Sequence, residues 1–182
     1  MSTPQHLLEL LDKADKDERG LPPIHQWHPA RHADIDMRIA RDGTWYYEGS
    51  PIQRERMVRL FSTILLHEGD DYFLITPVEK LRISVDDAPF VATLVDRVDA
   101  DNGQRLIFTT NVDSHVVAGP AHPITVHHDS ATDEPAPYVL VRDNLRALIH
   151  RRAFYNLVDM ATEKDGHLMV ESAGMWFDLG AL

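Results

Sequence analysis

Apolar residues recur along this chain with two different periods, and the switches between them mark out its elements. Leu7, Leu8, Leu10, Leu11 and Ala14 share one face at helical spacing behind Thr3-Pro4, a start signal that predicts an amphipathic helix. The charged run 15–20 and Leu21-Pro22-Pro23 stop that helix and predict an extended linker, with a short strand at 24–27. From Asp36, Met37 and Ile39 alternate with Arg38 and Arg41 before Asp42-Gly43 and Trp45-Tyr46-Tyr47, a hairpin whose Asp-Gly turn accepts positive φ. Ser50-Pro51-Ile52-Gln53 has the form of a capping box. It predicts a helix from Pro51 to near His67 with Met57, Leu60, Phe61, Ile64 and Leu65 as its apolar stripe. Strands follow at 72–75 and 81–85 around Thr76-Pro77-Val78-Glu79-Lys80, where the proline predicts a turn or bulge.

Beyond Pro89 the pattern predicts a meander with strands at 90–98, 105–110, 116–118 and 124–126, the first turn being Asp101-Asn102-Gly103. A polar loop at 129–137 leads to a strand at 138–141. Asp143 then reads as the cap of a helix carrying Leu145, Leu148, Ile149, Leu157 and Val158. Asp165-Gly166 turns that helix into a final hairpin of 167–170 and 175–179. This order repeats the first half: Phe61 aligns with Phe154, Ile64 with Leu157, and 72–75 with 167–170. The expected fold class is therefore α+β, built from two repeated strand, helix and hairpin units. The expected divisions are an N-terminal helix and linker at 1–20, a first repeat at 21–88 and a second, with the meander, at 89–182. One repetition fits a duplicated domain better than a solenoid, which needs about three units to stack a core.

Composition narrows the function. The 182 residues hold 29 acidic and 18 basic side chains, a net charge of −11 that repels nucleic acid and anionic lipid. No apolar run reaches the roughly 20 residues a bilayer demands, and Met1-Ser2-Thr3-Pro4 lacks a leader pattern, so a cytoplasmic setting is expected. Without cysteine there are no disulfides, thiolate metal sites or cysteine nucleophiles.

Four separated motifs carry a resemblance. The run Asp42-Gly43-Thr44-Trp45-Tyr46-Tyr47-Glu48-Gly49-Ser50-Pro51-Ile52, with Thr76-Pro77-Val78-Glu79-Lys80, Asp87-Ala88-Pro89-Phe90 and Thr109-Thr110-Asn111, resembles the bacterial family named domain of unknown function 1285. The likeness extends from about Pro22 through the final helix. It implies a duplicated α+β core, a C-terminal half similar to pleckstrin-homology domains, and a ligand site at the interface of the halves for a nucleotide-like anion in signal transduction. It carries over no catalytic residue.

Candidate binding residues follow from side-chain chemistry. Trp27, flanked by polar residues, can stack on a flat ligand, whereas Trp45 and Trp176 lie in apolar strands and read as core. Arg54, Arg142, Arg146, His150, Arg151 and Arg152 concentrate positive charge, and Arg142 with Arg146 at a helix start would suit an anion. Thr76, Glu79, Lys80 and Asn111 stand beside turns, where orienting contacts to small ligands are placed. For each of these polar residues a local ion pair or turn bond is the competing role.

The eleven histidines include His25, His28 and His32 and a second group of His122, His127 and His128. Pro29 breaks any helix aligning the first group, and no metal or cofactor is expected. There is no phosphate-cradling loop, nucleophile elbow or zinc-protease signature. The expected function is a non-enzymatic small-ligand-binding or sensor module. A protein-interaction module with an exposed strand edge is the alternative, and an enzyme of unknown reaction comes third.

Overall fold

The computed structural model describes residues 3–12 and 19–182. The chain divides into two units, Met1–Asp87 and Ala88–Leu182.

In the first unit helix α1 (Pro4–Asp12) starts where Thr3-Pro4 predicts, with the Thr3 hydroxyl accepting the His6 N–H at 3.3 Å. Leu7 and Leu11 are buried, and the helix packs on α2 (Glu55–Ser62). Ala14 and most of the charged run lie outside the described residues. The strand expected at 24–27 is instead one 3-10 turn, Ile24–Gln26. Two successive prolines can donate nothing to a ladder, and their carbonyls accept from Ile24 and Gln26 at 2.9 and 3.0 Å.

Strand β1 (Arg31–Ile39) begins earlier than the alternation suggested, and its hairpin with β2 (Trp45–Tyr47) turns on Asp42-Gly43 as expected. The Asp42 carboxylate accepts the Thr44 N–H at 2.9 Å, a bond that lowers its pKa, and Gly43 sits at φ +91°. The capping box at Ser50 is not one. Glu48 and Gly49, at φ +49° and +80°, turn the chain into strand β3 (Ser50–Pro51), whose edge position tolerates a proline. Helix α2 starts four residues later than predicted, at Glu55, with no side-chain cap from Arg54. It ends at Ser62, so Leu65 opens a strand, β4 (Leu65–Glu68), followed by β5 (Asp71–Ile75) and β6 (Glu79–Val85). These form one six-stranded sheet in the order β3-β2-β1-β6-β5-β4, antiparallel except for the β1–β6 pair.

The second unit opens with the meander β7 (Phe90–Ala100), β8 (Gly103–Thr110) and β9 (His115–Val117). Strand β10 (Ile124–His128) leaves that meander and pairs with β11 (Pro135–Arg142). Asp143 caps no helix. It sits at φ +49° in a tight turn to β12 (Leu145–Ile149), where Leu145, Ala147 and Ile149 are buried in alternation. Leucines at 145 and 148 with Ile149 fit either period, and the strand prevails because its alternate positions are the ones covered. Helix α3 (Arg151–Asp159) starts behind His150, whose Nδ1 accepts the Arg152 N–H at 3.3 Å.

A separate three-stranded sheet follows: β13 (Thr162–Lys164), β14 (His167–Ser172) and β15 (Met175–Ala181). Asp165-Gly166 joins two of its strands rather than helix to strand, and the final hairpin stands where predicted. On β15 the Asp178 carboxylate is held below its usual pKa by the Gly180 N–H and then by His167, 2.9 Å away.

The two six-stranded sheets share one plan. The second runs β10-β11-β12-β7-β8-β9, so in each unit a three-strand meander is followed by another, with first and last strands paired in parallel. The residue after the last strand then donates to the first: Asp86 to the Ile39 carbonyl at 3.0 Å, His150 to that of Ala92 at 2.9 Å. The helices are not equivalent, since α2 lies between the meanders of the first unit and α3 follows the second sheet. Aligning Phe61 with Phe154 and 72–75 with 167–170 therefore matches a six-stranded-sheet strand, β5, to one in the separate sheet, β14.

Ser172 fastens that separate sheet within its unit. Its fully buried hydroxyl accepts the Leu106 N–H at 2.8 Å and donates to the Ala118 carbonyl at 2.7 Å. Ser172→Ala orphans both backbone groups and is expected to cost about 1–3 kcal/mol, read as a lower urea midpoint at unchanged slope.

Candidate ligand site

Two candidate residues meet in one cavity of the first unit. Its volume is about 280 Å³, and Trp27 and Lys80 line it with His25, His28 and His32. The 3-10 turn and the loop after it bring Trp27 and two of these histidines, while β1 brings His32 and β6 brings Lys80. Ile24, Leu66 and Ile75 give the apolar wall. Lys80 is 14% exposed, ion-paired with Glu68 and laid over the Phe73 ring at 4.3 Å. His32 donates from Nε2 to the Pro29 carbonyl at 3.2 Å, which leaves Nδ1 as the other ring nitrogen.

Thr76 and Glu79 turn inward instead. The Thr76 hydroxyl, fully buried, accepts the N–H groups of Val78 and Glu79 at 3.2 and 3.1 Å and so builds the β5–β6 turn. Glu79 is 1% exposed and takes the Arg31 guanidinium at 2.9 Å. Thr110 plays the Thr76 part after β8, accepting from Ser114 at 3.1 Å. Asn111 beside it binds Val91 twice, its Oδ1 accepting at 3.0 Å and its N–H donating at 2.8 Å.

Arg54 is exposed at the start of α2 and does not line the cavity. Arg142 and Arg146 are not on a helix. Leu140 stands opposite Arg146 and Leu145 opposite Arg142, and the register shift between those pairs puts the two arginines on opposite sheet faces. Arg142 covers Phe90 at 5.2 Å, and Arg146 covers Tyr138 at 4.4 Å with His127 3.3 Å away. Trp45 is core, packed by Phe61, but Trp176 is 42% exposed with Lys164 3.4 Å above its ring. Among the described residues no three His, Cys, Asp or Glu are grouped to hold a metal ion. No described helix is long and apolar enough to cross a membrane.

Residues 22–88 match the N-terminal domain model of DUF1285, a domain of unknown function, and residues 89–179 match its C-terminal domain model. The chain belongs to the DUF1285 family. A crystal structure of a DUF1285 family protein from Silicibacter pomeroyi DSS-3 is similar over 97% of this chain and 95% of that one, at 49% identity and a TM-score of 0.86. A second, from Shewanella baltica OS155, covers 68% of this chain and 90% of that one at 28% identity and a TM-score of 0.51. No curated protein matches.

The residues that carried the family resemblance serve the backbone to a large degree. Asp42-Gly43, Glu48-Gly49, Thr76 and Thr110 all make turns. Lys80 is the motif residue that reaches the cavity. Sequence reading missed Leu66 and Glu68 because it placed them in or after a helix, and it weighed His25, His28 and His32 only as metal ligands. Thr76→Val keeps the shape and removes the turn-making oxygen, so a loss of about 1–3 kcal/mol in chemical denaturation is expected.

Proposed function

We propose that this chain is a non-enzymatic module that binds a small anion bearing a flat ring, seated in the Trp27–Lys80 cavity. The observation that carries this reading is the meeting of one indole, one ammonium and three imidazoles around a single partly apolar hollow. Lys80 supplies a permanent positive charge that an incoming phosphate or carboxylate would share with or take from Glu68. The ring N–H groups of the three imidazoles add hydrogen-bond donors for an anion. Trp27 offers the stacking face, worth about 1–3 kcal/mol per base where such stacks have been tested. The volume stands just below the usual range of about 300–1,000 Å³ for small-molecule pockets, which suits a single ring with one anionic group.

The nucleotide-like ligand, the signalling role and the cytoplasmic setting belong to this same proposal. So does the pleckstrin-homology likeness of the second unit, supported by a strand run followed directly by helix α3.

A thermal-shift titration with nucleoside monophosphates and cyclic nucleotides tests it. At a hundredfold the Kd a ligand adds about 2.7 kcal/mol, or about 5–10 °C for a chain of this size. The expected result is a shift that disappears in both Trp27→Ala and Lys80→Met. A shift that survives both substitutions, or none with any of these ligands, contradicts the assignment.

A further inference from the structure

Strand β1 is longer than the strand beside it. Its residues 31–34 pair with β6 on one side, but β2 reaches only from Met37 to Ile39, and the last bond on that side joins the Glu48 N–H to the Asp36 carbonyl. The hairpin turns away at Glu48-Gly49, so among the described residues 31–35 carry no strand on their β2 side. A groove of about 250 Å³ runs along this stretch. Ala33, Ile35, Tyr47 and Leu81 line it together with Asp36 and Glu48, and its other two charged residues, Arg31 and Asp34, are each ion-paired, with Glu79 and Arg82.

The two faces of the missing strand's neighbours differ in chemistry. Along β1, positions 33, 35, 37 and 39 are covered or partly covered, and 32, 34, 36 and 38 are exposed. Ala33 stands opposite the buried Leu81, and its small side chain leaves room over that leucine. On the exposed face Asp34 is taken by Arg82 at 3.0 Å, while no cation among the described residues pairs with Asp36 or Glu48. Burial, then Glu48 and Asp36, raise the Tyr47 pKa, as expected for a phenol in a negative field.

We propose that this open stretch of β1 takes an extended peptide as an added strand, one that alternates small apolar residues with lysine or arginine. Main-chain hydrogen bonds to the open edge supply affinity, and the alternation supplies specificity. Every second side chain rests over Ala33, Ile35 and Tyr47, and the intervening basic ones face Asp36 and Glu48. Unsatisfied strand edges are liabilities that proteins cover or use, and the two carboxylates of the lining that have no cation among the described residues select a basic partner while disfavouring further copies of this acidic chain. The inference is independent of the Trp27–Lys80 cavity, whose lining shares none of the groove residues named here.

The probe is the acetylated and amidated hexapeptide Lys-Val-Lys-Val-Lys-Val, with amide hydrogen exchange of the full chain as readout. At ten times its Kd the peptide is expected to slow exchange within 31–35 about tenfold. The same peptide N-methylated at alternate residues, which cannot form the ladder, is expected to protect nothing. The double variant Asp36→Lys, Glu48→Lys is expected to lose the lysine peptide and to accept one with glutamate in place of lysine. Protection that is absent at millimolar peptide, or equal with the N-methylated form, overturns the proposal. So does protection that is indifferent to the charge reversal.

Discussion

Parallel pairing between the first and last strands of each unit is the constraint on which the rest of this structure depends. Two antiparallel meanders could each fold back on themselves and remain separate, with four edges to protect. Joining β1 to β6, and β7 to β12, makes one sheet from two and leaves only short strands at its rims. The residues at these seams are among the most completely buried in the chain: Ile39 and Leu81 in one unit, Phe90, Ala92 and Ala147 in the other. Ala147 stands opposite Phe90 and Ala92 opposite Ile149, so each of these pairs sets a small side chain beside a large one across the second seam.

Both candidate sites border the first seam. Because β6 must start beside Arg31, the tight Thr76 turn is needed to aim it, and that turn delivers Glu79 inward to Arg31 and Lys80 outward to the cavity. On the other side of β1, β2 reaches only Met37–Ile39 before the Glu48-Gly49 turn, so the first part of β1 is flanked by β6 alone. One strand thereby borders both the hollow that holds Trp27 and the open groove of Ala33.

Much of this was legible from residue types. Thr3-Pro4, Asp42-Gly43, the meander after Pro89 and the last hairpin each combine a period with turn chemistry that admits one reading. The errors fell where a pattern admits two. Ser50-Pro51 is a helix start and also an acceptable edge strand, and only the preceding Glu48-Gly49 turn decides between them. Leu145, Leu148 and Ile149 suit a helix as well as a strand, and the parallel partner β7 decides. The first half of β1 was invisible because its exposed positions are His32, Asp34 and Asp36, residues of low strand preference held by pairing with β6. Trp27 and Lys80 could be nominated by chemistry, but no local signal foretold the register shift that sends Arg142 and Arg146 to opposite faces.

Native-state hydrogen exchange, resolved by residue, measures the seams directly. If parallel closure holds each sheet together, the ladder amides between β1 and β6 and between β7 and β12 will exchange only through global unfolding of their own unit. They will then be the slowest in it, well behind those of the rim strands β3, β4, β9 and β10. Seam amides that exchange as fast as the rims, while the individual meanders stay protected, would show that each meander is stable alone and would contradict the account.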